Sequence, residues 1–310
     1  MIVHALSLFG MAFTGSAITA LFSIILFTIS TNLLWINMDV LIEAFSNNSS
    51  TGKTRTIYFT FINLGWIISP TISSYLVKIG DYQLTFLISA FLVLPVLFVF
   101  MYQKKSLKDK VSYSKEKIGD VIKKTWRNKN LRGIFFVSLL LQIFFNTAVV
   151  YLPIYLHQSL GISWSELGLM FSIMLIPFII FEIPTGIIAD KYIGEKEILF
   201  LGFIILSIST FLFYYLETSS FWIWASVLFL SRTGAALIEA MRETYFFKLV
   251  SAKDLGYINV FRLAIPFGYI IGSGLAMLII TILPLNFLFL LIAIVTLSGL
   301  GFVASIKDTK

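Results

Sequence analysis

The chain contains ten stretches that are almost entirely apolar and close to the length of a bilayer-spanning helix. Such a helix needs about 20 consecutive, mostly apolar residues. Hydrophobic residues make up 58% and charged residues 13% of the sequence, against about 45–50% and about 25% in soluble proteins. The sequence therefore predicts an all-α, polytopic membrane protein. The stretches are residues 1–18, 20–44, 56–77, 83–102, 133–155, 165–187, 197–216, 220–244, 258–280 and 284–305.

The positions of the basic residues predict the orientation of these helices. Cytoplasmic loops of membrane proteins are rich in Lys and Arg. One set of alternate loops holds Lys78 alone, and the other set holds nearly all the remaining basic residues. We therefore expect a multi-pass protein of the plasma (inner) membrane of a prokaryote, with both termini cytoplasmic. The basic set comprises Lys53, Arg55, the group at 104–132, Lys191, Lys196, Arg242, Lys248, Lys253, Lys307 and Lys310.

Composition also excludes several classes of function. The net charge of +7 lies in short loops between apolar runs, which is the membrane pattern and not that of a nucleic-acid-binding protein. There is no cysteine and there are two histidines, His4 and His157, so no metal site is expected. No P-loop or hydrolase motif occurs, so we expect neither an ATP-driven pump nor an enzyme, and no cofactor. The expected partners of a monomer are membrane lipid, a small-molecule substrate and, for coupled transport, protons.

Two parts of the chain resemble each other at an offset of about 200 residues. Residues 65–70 (GWIISP) match residues 268–273 (GYIIGS). Repeats with the same orientation are related by an axis along the membrane normal. The second half has six helices and the first half four, so a complete first half would begin about 70 residues before Met1. We expect two helices and part of a third to be absent, by truncation in preference to a degenerate paralogue. The predicted units are an incomplete N-terminal bundle at 1–102, a basic cytoplasmic linker at 103–132 and a six-helix C-terminal bundle at 133–310.

The linker carries an amphipathic pattern. Its lysines lie between apolar residues that recur at helical spacing. This pattern predicts an amphipathic helix on the cytoplasmic lipid surface, and the alternative is a solvated linker. The apolar residues are Ile118, Val121, Ile122 and Trp126, and the lysines are Lys115, Lys117, Lys123 and Lys124.

The loop after the helix at 165–187 carries the most specific motif. Its residues are Gly186, Asp190, Lys191, Gly194 and Lys196. Together they resemble the signature loop GxxxD(R/K)xG(R/K)(R/K) of the major facilitator superfamily of transporters. Two departures exist, since one extra residue separates Lys191 from Gly194 and Glu195 stands where a basic residue is usual.

The resemblance implies a two-bundle, all-α fold of twelve transmembrane helices, of which about ten are present here. In that family the loop latches one half against the other and releases during alternating access, which would place Asp190 against the start of the helix near residue 56. The alternative is a plain positive-inside turn. A second resemblance, of residues 65–74 (GWIISPTISS) to the GxxxGPxxGG pattern of family exporters, hints at efflux.

Polar residues at membrane depth are the candidates for a substrate cavity, because they are costly in lipid. Arg232 lies near the middle of its helix, where it could hold an anionic substrate group or pair with an internal carboxylate. Gln142 and Asn146 are one turn apart on one face, which suits a cavity wall or interhelical packing. The candidates in the first half are Asn32, Asn63 and Trp66.

Several charged residues lie toward the cytoplasmic ends of the helices. They are Asp39, Glu43, Glu182, Glu239, Arg242, Glu243 and Arg262. We interpret them as a charge network that closes the inner gate. For proton carriage, the candidate carboxylates are those of Glu182, Asp39 and Glu239.

The function we expect is secondary active transport of a small organic solute by alternating access, as proton-coupled export. Two alternatives stay open. One is an uptake or facilitated-diffusion carrier of the same fold, and the other is a membrane sensor or scaffold derived from it that does not transport.

Overall fold

The computed structural model of this chain describes residues 1–45, 51–103, 117–250 and 255–307, and every described element is a helix. Within these ranges the description leaves out some side chains. They are those of residues 36, 39–45, 51–60, 63, 182, 183, 187, 190, 191 and 255.

The chain divides into two compact units, Met1–Val111 and Ser112–Lys310. The helices of the first unit are α1 (Ile2–Ala12), α2 (Ala17–Phe45) and α3 (Thr51–Gln103). The long α3 is interrupted, because Gly80 (φ −139°, ψ 22°) and Asp81 (φ 59°, ψ −168°) have non-helical backbone. The Asp81 carboxylate accepts a hydrogen bond of 2.8 Å from the Tyr82 N–H. The break lies between the stretches predicted at 56–77 and 83–102.

The first predicted stretch, residues 1–18, is shorter in the structure. The helix α1 ends at Ala12 and α2 begins at Ala17. Between them the Thr14 hydroxyl donates to the Ser16 carbonyl at 3.0 Å, which competes with helical hydrogen bonding.

The second unit contains the remaining helices. They are α4 (Ile118–Arg127), α5 (Lys129–Asn146), α6 (Leu152–Gln158), α7 (Trp164–Ile188), α8 (Glu195–Tyr215), α9 (Phe221–Leu249), α10 (Leu255–Arg262), α11 (Ala264–Ile282), α12 (Asn286–Leu297) and α13 (Gly299–Ser305). Two π-helical turns, Thr147–Tyr151 and Ala189–Ile193, follow α5 and α7. The first of them joins α5 to α6 in one continuous apolar segment, Lys129–Gln158.

Eight segments of the described chain are long and apolar enough to cross a membrane. One of them, Leu64–Gln103, contains the break at Gly80 and so supplies two helices. With the shorter apolar helix α1, all ten predicted stretches fall on helices. The prediction of an all-α polytopic membrane fold is therefore confirmed.

Packing in the second unit centres on α9 and α5. The helix α9 contacts α7 and α8, while α5 contacts α11 and α13. The backbones of α8 and α9 approach closely, because a β-carbon on Gly234 would lie 2.8 Å from the Gly202 carbonyl oxygen. Small residues at such crossings are typical of helix packing in membranes.

The amphipathic helix predicted in the linker is present as α4, and Lys115 lies outside the described residues. The division between the units falls after Val111, so α4 belongs to the second unit. Its Val121 is buried, and its Ile118 and Trp126 are exposed. One side of α4 therefore packs on protein and the other faces outward.

Candidate functional site

Arg232 lies near the middle of α9, and only 2% of the residue is exposed. Its Cζ lies over the rings of Phe144 and Phe145, 5.3 and 5.4 Å from their centroids. Its Nε has no hydrogen-bond partner, and no carboxylate in the described part of the chain forms an ion pair with it. Aromatic faces therefore hold this guanidinium where a counter-ion would be usual.

Gln142 and Asn146 lie on the face of α5 that packs against α11. The Asn146 amide donates to the Ser273 hydroxyl at 3.2 Å. A β-carbon on Gly272 would lie 2.6 Å from the Asn146 side-chain oxygen, and one on Gly268 would lie 3.0 Å from the Gln142 backbone carbon. These two amides thus line a tight helix crossing, within one turn of Phe144 and Phe145 along α5.

The charged residues near the end of α9 form a network with its neighbours. Arg242 is buried and donates to the Ser138 hydroxyl of α5. Its Nη2 lies 3.4 Å from a Glu239 carboxylate oxygen and 3.5 Å from one of Glu243. Arg262 of α10 forms a bidentate pair with Glu243, at 2.6 and 3.0 Å. Three helices, α5, α9 and α10, are therefore joined through one set of charges.

The signature loop has a backbone that accounts for its extra residue. Residues Ala189–Ile193 form a π-helical turn, and the Gly194 N–H donates to the Ala189 carbonyl at 3.0 Å. A π-helical turn holds one more residue than the matching α-helical turn. Gly194 itself has φ 81° and ψ 169°, a conformation open almost only to glycine. A β-carbon on Gly186, in contrast, would meet nothing within 4 Å.

The two residues after Gly194 tie the loop to other helices. Glu195 is fully buried and pairs with Lys248 near the end of α9. Lys196 donates to the carbonyls of Ala304 and Ile306, at 3.3 and 2.9 Å, at the end of α13. Glu195, which stands where the signature motif usually has a basic residue, thus pairs with Lys248 of another helix.

Of the first-half cavity candidates, the structure describes the side chains of Asn32 and Trp66, and it shows no contact between these two. Asn32 is exposed and donates to the Thr28 carbonyl of its own helix at 2.8 Å. Trp66 is 54% exposed. Several other predicted residues have side chains outside the description, and these are Asp39, Asn63, Glu182, Asp190 and Lys191.

Sequence reasoning missed several partners in the second unit. Ser138 lies one turn before Gln142 on the same face of α5, so extending that spacing could have found it. Ser273 lies at the end of the repeated segment 268–273. Nothing in the sequence pattern pointed to Phe144 or Phe145 as the neighbours of Arg232, because that contact depends on how α5 meets α9.

Comparisons with known proteins agree with this architecture. A sequence model described as Major Facilitator Superfamily matches residues 1–165 and residues 134–309. The chain is 29% identical over 156 residues to the Quinolone resistance protein NorA of Staphylococcus aureus strains Mu50 / ATCC 700699 and N315, across 48% of this chain. The match spans 37% of the length of these relatives.

Solved structures of similar fold include a bacterial homolog to the human lysosomal transporter Spinster. Its inward-facing and occupied conformation gives a TM-score of 0.64 at 12% identity, over 98% of this chain and 77% of that one. Its inward-facing and unoccupied conformation gives 0.63 at 11% identity, over 98% and 78%. At this identity the likeness concerns the fold.

Proposed function

This chain belongs to the Major Facilitator Superfamily, whose members are membrane transporters, and on that premise we propose that it exports a small organic solute by proton-coupled alternating access. It is a multi-pass membrane protein and a transporter, not an enzyme. We place it, as a monomer with both termini cytoplasmic, in the plasma membrane of a bacterium, which agrees with the source of the relatives.

The observation that carries the proposal is the buried charge of Arg232. Removing a guanidinium from water costs several kcal/mol unless a counter-ion compensates for it. The Phe144 and Phe145 rings lie over it, and no carboxylate of the described residues forms an ion pair with it. Ionisable residues kept at membrane depth are functional candidates by default. We assign Arg232 to the substrate cavity, with an anionic group of the solute as its partner, and Gln142 and Asn146 to the wall beside it.

We assign the inner charge network to gating. Glu239, Arg242, Glu243 and Arg262 join α9 to α10, and their hydrogen bonds can exchange when the helices separate. Glu239 forms an ion pair of 3.4 Å with Arg242, which also contacts Glu243. A proton on Glu239 would therefore weaken the Glu239–Arg242 contact and leave the Arg242–Glu243 contact in place. This arrangement favours Glu239 as the carboxylate that couples proton movement to opening; Glu182 and Asp39 stay alternative proton carriers.

Flux into proteoliposomes tests the proposal. The 310-residue chain is reconstituted, and uptake of a fluorescent quinolone, norfloxacin, is followed after an acidic interior is imposed. Quinolones are chosen because a relative is named for quinolone resistance, and because norfloxacin carries a carboxylate that can pair with Arg232. We expect uptake that collapses when a protonophore is added. Vesicles with Arg232→Gln protein control for passive trapping of the drug.

The same assay separates the alternatives. Loss of one charge-assisted hydrogen bond, worth about 1.5–3 kcal/mol, predicts roughly 10- to 100-fold slower uptake in Arg232→Gln vesicles. Uptake that does not respond to the proton gradient would indicate facilitated diffusion in place of proton-coupled export. Equal uptake in wild-type and Arg232→Gln vesicles would contradict the proposal.

A further inference from the structure

The segment 117–132 concentrates positive charge at one place on the surface of the second unit. It holds six basic residues and one acidic residue, Asp120, and all seven are exposed. The basic residues are Lys117, Lys123, Lys124, Arg127, Lys129 and Arg132. Neither the substrate site nor the gate makes use of them.

The helix α4 is fixed against the unit by its other side. Only 1% of Val121 and 5% of Thr125 is exposed. A β-carbon on Gly256 of α10 would lie 2.8 Å from a Val121 methyl group. At the border between the two sides, the partly exposed Trp126 ring lies 5.2 and 5.7 Å from those of Phe135 and Phe136, measured between centroids. The position of the basic side chains is therefore set by packing.

The junction between α4 and α5 forms an elbow. The Asn128 side chain caps α5 by accepting from the N–H groups of Asn130 and Leu131, at 3.0 and 3.3 Å. Arg132 donates back to the Trp126 carbonyl at 3.3 Å. Because α5 begins the apolar segment Lys129–Gln158, the elbow lies where that segment enters the membrane. Exposed Trp126 and Ile118 are then at the depth of the headgroups, where tryptophan is enriched.

We propose that this elbow is a binding site for the headgroups of anionic phospholipids in the leaflet that it faces. Lys123, Arg127 and Lys129 supply the charge, and the N-terminus of α5 adds the positive end of its dipole. Each basic side chain near an anionic surface strengthens association about fivefold. Exposed Trp126 and Ile118 insert beside the headgroups and hold the elbow at that depth. The helix α4 thus anchors the second unit to charged lipid.

Quenching of tryptophan by brominated lipid tests this site. The full chain is reconstituted in phosphatidylcholine bilayers that contain an equal fraction of brominated phosphatidylglycerol or brominated phosphatidylcholine. The chain has six tryptophans, so the signal of Trp126 is obtained as the difference from a Trp126→Phe variant. We expect brominated phosphatidylglycerol to be enriched several-fold at Trp126, and high salt to reduce the enrichment.

Two matched variants distinguish an effect of the positive charges on lipid binding from an effect of the substitutions on folding. The triple variant Lys123→Gln, Arg127→Gln and Lys129→Gln removes three charges and keeps Arg132 in place, and we expect it to abolish the preference. The variant Lys123→Arg, Arg127→Lys and Lys129→Arg keeps the charges, and we expect it to retain the preference. Equal quenching by the two lipids in the wild type, or an unchanged preference in the Gln variant, would overturn the proposal. Loss of the preference when millimolar inorganic phosphate is added would also overturn it, because the occupant would then be free phosphate.

Discussion

Gly272 of α11 packs directly on Asn146 of α5, so that an added β-carbon would come within 2.6 Å of the Asn146 side-chain oxygen. The neighbouring Ser273 accepts a hydrogen bond from the same amide at 3.2 Å. One turn earlier, Gly268 packs on Gln142 in the same manner. The polar face of α5 is therefore held in place by a stripe of small residues on α11.

The packing of α11 on α5 predicts that glycine-to-alanine substitutions at two positions of α11 have opposite effects on thermal stability. Gly268→Ala places a β-carbon against the Gln142 side chain and backbone, and such overpacking costs about 1–3 kcal/mol. Gly274→Ala meets nothing within 4 Å, and alanine in a helix gains about 0.5–1 kcal/mol over glycine. We expect a lower thermal midpoint in detergent for Gly268→Ala and an unchanged or higher one for Gly274→Ala. Equal midpoints would show that α5 and α11 do not pack as described.

The signature loop predicts a second matched pair. Gly194 has a positive φ of 81°, so Gly194→Ala stores about 1–3 kcal/mol of backbone strain. Gly186 is helical with open space around it, so Gly186→Ala serves as the control and should be neutral or stabilising. Thermal unfolding of both variants checks this expectation. A Gly194→Ala protein as stable as the wild type would rule out the π-turn conformation of the loop.

The Glu243–Arg262 pair predicts a measurable coupling energy. The pair is bidentate at 2.6 and 3.0 Å, with its side chains about one-third exposed. Solvent screening limits such a pair to roughly 1 kcal/mol. In a double-mutant cycle with Glu243→Gln and Arg262→Gln, we expect the double variant to be more stable than the sum of the single effects by about that amount. Additive effects would mean that the contact makes no net contribution to stability.

The surroundings of Arg232 predict that replacing it with an apolar residue lowers transport without lowering stability. A buried charge without a counter-ion destabilises the fold, so replacement by an apolar side chain of similar size should be neutral or stabilising by about 1 kcal/mol or more. We expect Arg232→Met to unfold at the same or a higher temperature while norfloxacin flux falls to the background level. Arg232→Lys keeps the charge and should retain part of the flux. A strongly destabilised Arg232→Met would contradict this role and indicate that Arg232 is a structural strut.

Hydropathy was enough to predict the helices, because nearly all of them are apolar over a length close to that of a bilayer. It placed Glu239, Arg242, Glu243 and Arg262 at one end of the second half, since sequence position along a helix sets depth. It could not predict that Arg242 also reaches Ser138, or that Arg262 takes Glu243 as its partner. Those contacts depend on how α5, α9 and α10 are rotated against one another.

The sequence pattern could not predict the local irregularities of the backbone either. The extra residue in the signature loop was visible as a departure from the motif, but the π-turn at Ala189–Ile193 that accommodates it was not. Asp81, with φ 59°, ends one helix and begins the next in a stretch whose apolar pattern showed only a gap. That no carboxylate of the described residues forms an ion pair with Arg232 is likewise a property of its surroundings in three dimensions, and its role as a substrate ligand stays a proposal.

Solute counterflow tests the central claim, which is that the chain is an alternating-access carrier. Proteoliposomes loaded with unlabelled norfloxacin are diluted, without a pH gradient, into a trace of the labelled compound. A carrier exchanges one for the other, so we expect labelled norfloxacin to rise transiently above its equilibrium level in wild-type vesicles, and to stay at equilibrium in Arg232→Gln vesicles. The absence of any overshoot in wild-type vesicles would contradict the account.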